Sequence, residues 1–218
     1  AYRKRLEDQL TANVYQNQTP LPLLDQYFSV RDPFNESRTQ YRFNLSDGKL
    51  FVNDVRKEKT DSEMCRFTLF KNWSAFCVFR IDGSYATYDA KLSYGSRVTE
   101  QFKIRATIEP YSGDWSNPAD IRASLRLKSA SGQMRLESGS SAFVTEFVVV
   151  TNSTPPFEAF SVFNGNKTLA EKVWRNFTDY IFRICKQDMR AIMKIEYTKK
   201  VKSAADDVGE IDYKLFLE

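Results

Sequence analysis

A long helix-forming stretch close to the C-terminal end most limits what this chain can fold into. It follows the turn residues Asn164-Gly165 and is predicted over residues 167–197, about 45 Å at 1.5 Å per residue. Surface helices usually bury one apolar stripe, but this segment has two neighbouring rows. The first row comprises Leu169, Val173, Phe177, Tyr180, Ile181, Ile184, Ile192 and Ile195. The second comprises Trp174, Phe182, Cys185, Met189 and Met193. We therefore predict a helix that is apolar over more than half its circumference and needs cover from several sides.

Most of the remaining sequence has the two-residue period of β-strands. Residues 1–16 are an exception, because Tyr2, Leu6, Leu10 and Val14 recur every four residues and predict a short amphipathic helix. From about residue 38 to 150, apolar and polar residues alternate, most clearly in residues 102–108 and 121–127. Asp47-Gly48 predicts a hairpin turn within this region. Alternation of this kind is typical of an antiparallel sheet with one wet face.

A curved sheet satisfies both patterns at once. We predict one α+β domain over residues 1–218, in which a strongly curved antiparallel β-sheet wraps around the long C-terminal α-helix. The short N-terminal helix and a tail over residues 198–218 complete it. Periodicity alone leaves open a plain α+β domain in which the helix lies flat on a sheet.

The three cysteines predict one disulfide and one buried thiol. Cys65 and Cys77 flank two short apolar runs, and a symmetric hairpin centred on residue 71 would place the two thiols opposite each other. Cys185 lies inside the long helix, where a small buried hydrophobic role is favoured over a reactive thiol.

Seven Asn-x-Ser/Thr sequons indicate a secreted, extracellular glycoprotein. They are Asn17, Asn35, Asn44, Asn72, Asn152, Asn166 and Asn176. Chance would give roughly two in a chain with this content of asparagine, serine and threonine. The excess predicts that these positions carry glycans on the surface.

Composition argues against several classes of function. The chain has no histidine, which removes the commonest general base and metal ligand. We therefore expect no enzyme activity, no metal and no cofactor, and interpret Asp206-Asp207 as a solvated loop rather than a carboxylate pair. The net charge of +4 is spread evenly, so no nucleic-acid partner is implied. The sequence contains no run of 18 or more apolar residues, so it predicts no membrane-spanning helix.

The turn that leads into the long helix resembles a known motif. Phe163, Asn164, Gly165, Asn166 and Leu169, with Trp174 and Phe177 more loosely, are similar to the end of the arthropod takeout and juvenile-hormone-binding proteins. A second similarity lies in the segment Pro22, Leu23, Leu24 and Asp25. Those proteins belong to the tubular lipid-binding superfamily, which includes the group 7 mite allergens. The resemblance implies an apolar molecule held between a curled sheet and a helix.

These observations lead to two hypotheses of function. The first is a carrier of an apolar ligand such as a lipid, fatty acid or terpenoid-like molecule, because the strands and helix hold more bulk than a thin core needs. The predicted lining residues are Phe67, Leu69, Phe76, Val78, Phe102, Ile104, Ile108, Trp174, Phe177, Ile181, Met189 and Met193. The alternative is a salivary, venom or allergen-like factor with a filled core that meets a protein partner through its surface.

Overall fold

A computed structural model describes residues 2–15, 20–34, 39–52, 65–70, 72–111, 118–130, 133–139, 141–212 and 214–215. Within these residues the fold is α+β. A curled antiparallel β-structure forms a half-barrel, with a long helix from Lys167 to Val208 and a short helix near the N-terminus. This confirms the predicted fold class.

Two antiparallel sheets make up the half-barrel. The strands are β1 (Leu21–Pro22), β2 (Gln26–Arg31), β3 (Gln40–Phe51), β4 (Cys65–Phe70), β5 (Asn72–Arg80), β6 (Tyr85–Tyr94), β7 (Arg97–Pro110), β8 (Asp120–Ala130), β9 (Gln133–Ser138), β10 (Phe143–Val144), β11 (Phe147–Thr154) and β12 (Glu210–Asp212). The first sheet has the order β1-β3-β6-β7-β11, and β2 also pairs with β3. The second has the order β12-β9-β8-β5-β4, and β10 also pairs with β8.

Backbone hydrogen bonds join the two sheets where β5 leads into β6. The amide of Ile81 donates to the carbonyl of Ala119, and the amide of Gly83 donates to the carbonyl of Ile108, both at 2.9 Å. The buried Asp82 carboxylate accepts from the Ala119 amide at 3.0 Å and from Arg80 Nε at 2.7 Å. These hydrogen bonds satisfy the backbone amides and carbonyls of the connection between β5 and β6, which would be costly to bury without partners.

The strands depart from the prediction in two places. They begin earlier than residue 38, because β1 and β2 both pair with β3. Asp47-Gly48 is not a hairpin turn. It forms a β-bulge in β3, where Ser46 still pairs with Asp89 and Lys49 with Thr87. The left-handed φ of 51° at Asp47 suits a bulge as well as a turn, so the local sequence signal fits both.

The predicted hairpin and its disulfide are confirmed. β4 and β5 are antiparallel partners in the register that places Cys65 opposite Cys77. The two sulfur atoms are bonded, the Cα atoms lie 4.1 Å apart, and both residues are fully buried. The bridge therefore fixes the pairing of these strands from the core side.

The short N-terminal helix matches its predicted bounds within one residue, whereas the long helix matches its predicted start but not its predicted end. They are α1 (Tyr2–Tyr15), α2 (Lys167–Tyr180), a single π-helical turn (Ile181–Cys185) and α3 (Lys186–Val208), the last three forming one continuous rod. The rod extends past residue 197 and ends at Gly209, whose φ is 69°. The supposed tail then contributes β12, which pairs with β9. In the described part of the chain, no helix has the length and apolarity to cross a membrane.

The motif before α2 has a structural explanation. Asn164 and Gly165 adopt left-handed φ values of 49° and 75°, so they turn the chain sharply. The Asn166 side chain then accepts a hydrogen bond from the Leu169 amide at 3.1 Å, which caps the helix. The motif therefore fixes where the rod begins and in which direction it runs.

The rod is less enclosed than its sequence predicts. A buried series follows it at four-residue spacing: Val173, Phe177, Ile181, Cys185, Met189, Met193, Tyr197 and Val201. Ile184 and Ile195 are 38% and 50% exposed, however, and Phe182 is also exposed. The prediction that the helix is covered on several sides at once is wrong for these residues. The sequence prediction treated all the turns of the helix as one projection down its axis. The buried side rotates around the axis along the rod, so in such a projection it resembles one wide apolar arc.

Helix α1 protects an edge of the second sheet. Leu6, Leu10 and Val14 are buried, as the amphipathic pattern predicts. On the same helix, the buried Glu7 carboxylate accepts from the Phe67 amide of β4 at 2.8 Å. Arg3 donates to the Phe67 carbonyl and pairs with Glu7. Two side chains thus satisfy backbone groups that an edge strand would otherwise offer to another strand.

We expect Glu7→Ala to lower the free energy of unfolding by about 1–3 kcal/mol, because the Phe67 amide would lose its acceptor in a buried place. Urea denaturation followed by circular dichroism would measure the change. Asp8→Ala is the matched control, since Asp8 pairs with Lys4 at 3.2 Å on the exposed side of the same helix. Equal effects of the two variants would contradict the role assigned to Glu7.

Candidate functional site

The structure places most of the predicted lining residues in the core. Those buried are Phe67, Phe102, Ile104, Ile108, Phe177, Ile181, Met189 and Met193. Trp174 is half-buried and packs against this core. The side chain of Leu69 lies outside the described residues.

Two predicted lining residues on β5 do not belong to the core face. Ala75, Cys77 and Phe79 are buried, so the alternating residues Phe76 and Val78 point the other way. Phe76 is 40% exposed and pairs across the strands with the exposed Arg66. The sequence run is apolar at nearly every position, which left the choice of face ambiguous.

An aromatic cluster fills the interior at the α2 end. The Phe177 ring is its centre, with ring centroids of Phe43 at 4.9 Å, Trp174 at 5.3 Å and Phe102 at 6.1 Å. Phe157, Phe160 and Phe163, from the short turns before α2, close the cluster from the side. The sequence analysis named Phe163 only as part of the motif before the long helix, and it gave Phe157 and Phe160 no role. The fold therefore brings together three of the predicted lining residues, Phe102, Trp174 and Phe177. Their rings pack directly on one another.

The polar part of the interior lies under the π-helical turn. The Tyr88 hydroxyl of β6 is buried and has no hydrogen-bond partner among the described residues. The Cys185 thiol of the π-helical turn interacts with this hydroxyl, without the geometry of a normal hydrogen bond. Burial raises the pKa of both groups, that of Cys185 to about 12. Both side chains are therefore neutral near pH 7, and the hydroxyl retains a proton it can donate.

The β-bulge explains the position of Tyr88. The two residues Asp47 and Gly48 of β3 face the single residue Tyr88 of β6. A Cβ atom at Gly48 would lie 2.6 Å from Tyr88 Cε1, so only glycine allows the ring to lie there. Sequence reasoning missed Tyr88, because a tyrosine in an alternating strand carries no local sign of a missing partner.

An ion-pair cluster anchors the rod just after the π-helical turn. The buried Lys186 ammonium lies 3.0 Å from Glu146 Oε2 and 4.6 Å from the centroid of the Phe182 ring. Arg190 also pairs with Glu146 and donates to the Val144 carbonyl at 2.9 Å. Hydrogen bonds from the two cations lower the pKa of Glu146. This cluster, which we call the Glu146 clamp, ties α3 to the segment between β10 and β11.

The surface carries two open clefts bounded by described residues. One, of about 430 Å³, crosses the outer side of the first sheet and is lined by Tyr85, Asp89, Lys103 and Arg105 among others. The other, of about 420 Å³, lies between β10 and α3. Among the described residues, the first cleft shares only Ile104 with the predicted interior site, and the second shares none of its residues.

The remaining predicted sites lie on the surface where they are described. Asn44, Asn152, Asn166 and Asn176 are exposed. Asn17, Asn35 and the side chain of Asn72 are outside the described residues. Asp206 and Asp207 are exposed on α3 rather than in a loop, which corrects that interpretation. The described residues contain no group of three or more side chains arranged to hold a metal ion.

No protein-family model matches this chain, and a search of curated proteins finds none similar to it.

We expect the Cys185 thiol to resist labelling by a thiol-specific disulfide reagent at pH 8 in the folded protein. It is buried, and a pKa of about 12 leaves roughly one thiol in ten thousand ionised at that pH. Labelling should become fast in denaturant. The control is Gln187→Cys, which introduces a thiol at an exposed position two residues away and should label at once. Fast labelling of native Cys185 would show that the interior opens readily.

The Glu146 clamp should stabilise the protein in a pH-dependent manner. The folded pKa of Glu146 lies below its unfolded value near 4.5, so the contribution is complete above that pH and is lost as pH falls through the folded pKa. We expect Glu146→Gln to cost about 1 kcal/mol at pH 7, since the carboxylate is half exposed.

Urea denaturation of wild type and variant at pH 7 and at a series of lower pH values would test this, and the difference should shrink as pH falls through the folded pKa of Glu146. Glu137→Gln is the control, because Glu137 pairs with the exposed Lys128 and should have little effect. A cost for Glu146→Gln that is the same at every pH value would overturn the role of the carboxylate charge.

Proposed function

We propose that the protein binds a small apolar ligand bearing one hydrogen-bonding group, in the interior between the first sheet and the π-helical turn. The ligand class is a lipid, fatty acid or terpenoid-like molecule, and the protein acts as its carrier. The observation that carries the proposal is the buried Tyr88 hydroxyl, which has no hydrogen-bond partner in the part of the chain that the structure describes. It lies in the apolar core, with Cys185 and Asp188 as its polar neighbours. Unsatisfied buried polar groups are uncommon in folded proteins and cost free energy.

A ligand carbonyl or carboxyl oxygen would supply what Tyr88 lacks. The hydroxyl keeps its proton at neutral pH, so it would act as the donor. The Cys185 thiol beside it adds a weak donor of the same kind. The polar end of the ligand would then lie under the π-helical turn, with its apolar part along the rod.

Two methionine side chains can move to make space for the apolar part of the ligand. Met189 and Met193 follow Cys185 at four-residue spacing on the buried side of α3. Unbranched thioether side chains change rotamer easily and repack around different shapes. Transfer of each ligand CH₂ from water contributes about 0.8 kcal/mol before entropy costs, so burial alone would give useful affinity.

We also propose that the protein is a secreted glycoprotein and a divergent relative of the takeout and juvenile-hormone-binding proteins. The exposed sequons and the buried disulfide support secretion. The order of elements supports the relationship, since a short helix, a curled sheet and a long final helix follow one another. The Asn164-Gly165 turn with its Asn166 cap adds the local similarity.

Binding of a fluorescent fatty acid by the purified protein tests the carrier function. We expect saturable binding of one fatty acid, and a co-purified lipid in the solvent extract of protein secreted by a glycosylating host. Non-denaturing mass spectrometry would detect the complex directly. Repeated recovery of empty protein together with no fatty-acid binding would overturn the proposal.

Tyr88→Phe tests the polar end of the site. Without the hydroxyl, we expect affinity for the fatty acid to fall about tenfold, while affinity for a fluorescent hydrocarbon probe stays the same. The ligand-free variant should be more stable than wild type by about 1 kcal/mol, because an unpartnered buried hydroxyl is removed. Tyr85→Phe is the control, since Tyr85 is on the same strand but lies on the outer side beside Arg105. Equal effects of the two variants on fatty-acid binding would exclude Tyr88 as the contact.

The aromatic cluster favours a second candidate function. Rings packed around Phe177 leave the α2 end of the interior occupied by the protein itself. If the whole interior is filled in this way, the protein acts through its surface on a protein partner, as an extracellular interaction factor. Absence of ligand uptake by the folded wild-type protein would favour this candidate over the carrier.

A further inference from the structure

An apolar strip follows the outward side of α3. Ile184, Ala191 and Ile195 are seven and four residues apart, so they share one side of the helix, and all three are exposed. This side is opposite the buried series that includes Met189 and Met193. Exposed aliphatic residues in a row are costly in water unless something covers them.

Two further apolar side chains widen the strip on either side. Leu24 is 68% exposed, and its amide donates to Asp188 of α3 at 2.8 Å, so it lies next to the helix. Phe143 is 61% exposed and lines the cleft of about 420 Å³ together with Ala191 and Lys194. We call the set Leu24, Phe143, Ile184, Ala191 and Ile195 the outer apolar face.

The charges near this face leave an excess of positive groups. Lys194 and Lys202 are exposed on α3, and neither has a carboxylate partner among the described residues. Five cations lie near the face, namely Lys186, Arg190, Lys194, Lys199 and Lys202, and Glu146 and Glu196 pair with three of them. Within the described residues the Asp188 carboxylate accepts only the Leu24 amide, so Asp188 and the exposed Asp25 place two negative groups at the Leu24 edge of the face. Asp206 and Asp207 lie farther along, in the last turn of the helix.

No N-glycosylation sequon lies in this part of the helix. The last sequon is Asn176, and no Asn-x-Ser/Thr triplet occurs in residues 177–218. N-linked glycosylation at the sequons would therefore add no sugar to the part of the helix that carries Ile184, Ala191 and Ile195.

We propose that the outer apolar face docks the protein on membranes that contain anionic phospholipid. Apolar side chains enter the boundary between head groups and acyl chains, and lysines beside them bind the anionic head groups. A second copy of the chain is a poorer occupant, because a two-fold pair would place Lys194 against the same cationic surface of its partner. The inference rests on the proposed carrier function, since a carrier loads and releases its apolar ligand at a lipid surface.

Vesicle co-sedimentation of the full chain tests the proposal. We expect binding to vesicles of phosphatidylcholine mixed with phosphatidylserine, weaker binding to phosphatidylcholine alone, and a decrease as salt rises. The double variant Ile184→Gln/Ile195→Gln should lower the partition coefficient about tenfold or more. Lys194→Glu should weaken binding to the anionic vesicles more than to the neutral ones.

Val150→Thr is the matched control, because Val150 is 41% exposed but lies on β11 of the first sheet, and it should bind like wild type. Circular dichroism would show that all variants fold. No binding of the wild type to anionic vesicles, or binding that the double variant does not change, overturns the docking surface. So does a dimer in sedimentation analysis that the double variant makes monomeric, which would assign the face to a second copy.

The same variants separate this inference from the carrier function. Fatty-acid binding in solution should be unchanged in Ile184→Gln/Ile195→Gln, whose side chains lie on the outside of the rod. Wild-type protein that binds the fatty acid but not the vesicles would contradict docking alone. Wild-type protein that binds the vesicles without binding the fatty acid would contradict the carrier function alone.

Discussion

Four-residue spacing along the rod is the constraint on which the rest of the structure depends. Each four-residue step in a helix of 3.6 residues per turn advances by about 40° around the axis, so the buried series winds as it proceeds. A flat sheet cannot cover such a series, but two joined sheets can. The α2 end packs on the aromatic residues of β2, β3 and β7, and α3 contacts β8, β9 and β10. The π-helical turn lies between these two covered segments, where an extra residue per turn adjusts the direction of the buried side.

The same place on the rod collects the unusual chemistry of the interior. Tyr88 and Cys185 meet at the π-helical turn, the β-bulge opposite makes space for the tyrosine ring, and the Glu146 clamp begins at the next residue. π-Helical turns in otherwise regular helices are rare and occur often at functional sites. The interior thus has an aromatic end, where rings pack on rings, and an end with methionines and the Tyr88 hydroxyl, to which we assign the proposed ligand.

Local patterns were sufficient to predict most of the fold but not the chemistry of the site. The symmetric run around residue 71 was enough to predict that Cys65 pairs with Cys77. The turn and cap residues before Lys167 were enough to predict where the rod begins. Both features depend only on residues that are close in sequence. The bulge at Asp47 was predicted as a turn, since both use a left-handed residue followed by glycine. The outward position of Ile184 and Ile195 depends on how the two sheets share the cover, and the meeting of Tyr88 with Cys185 depends on the tertiary fold. Neither is encoded in the spacing of nearby residues.

The attachment of α1 has a consequence for the order of events during synthesis. This helix precedes every strand in the chain, yet it contacts both β4 and α3, and α3 follows all the strands except β12. The cover of the β4 edge is therefore complete only after α3 has been synthesised. Until then this edge can pair with a strand of another nascent chain, which is a route to aggregation.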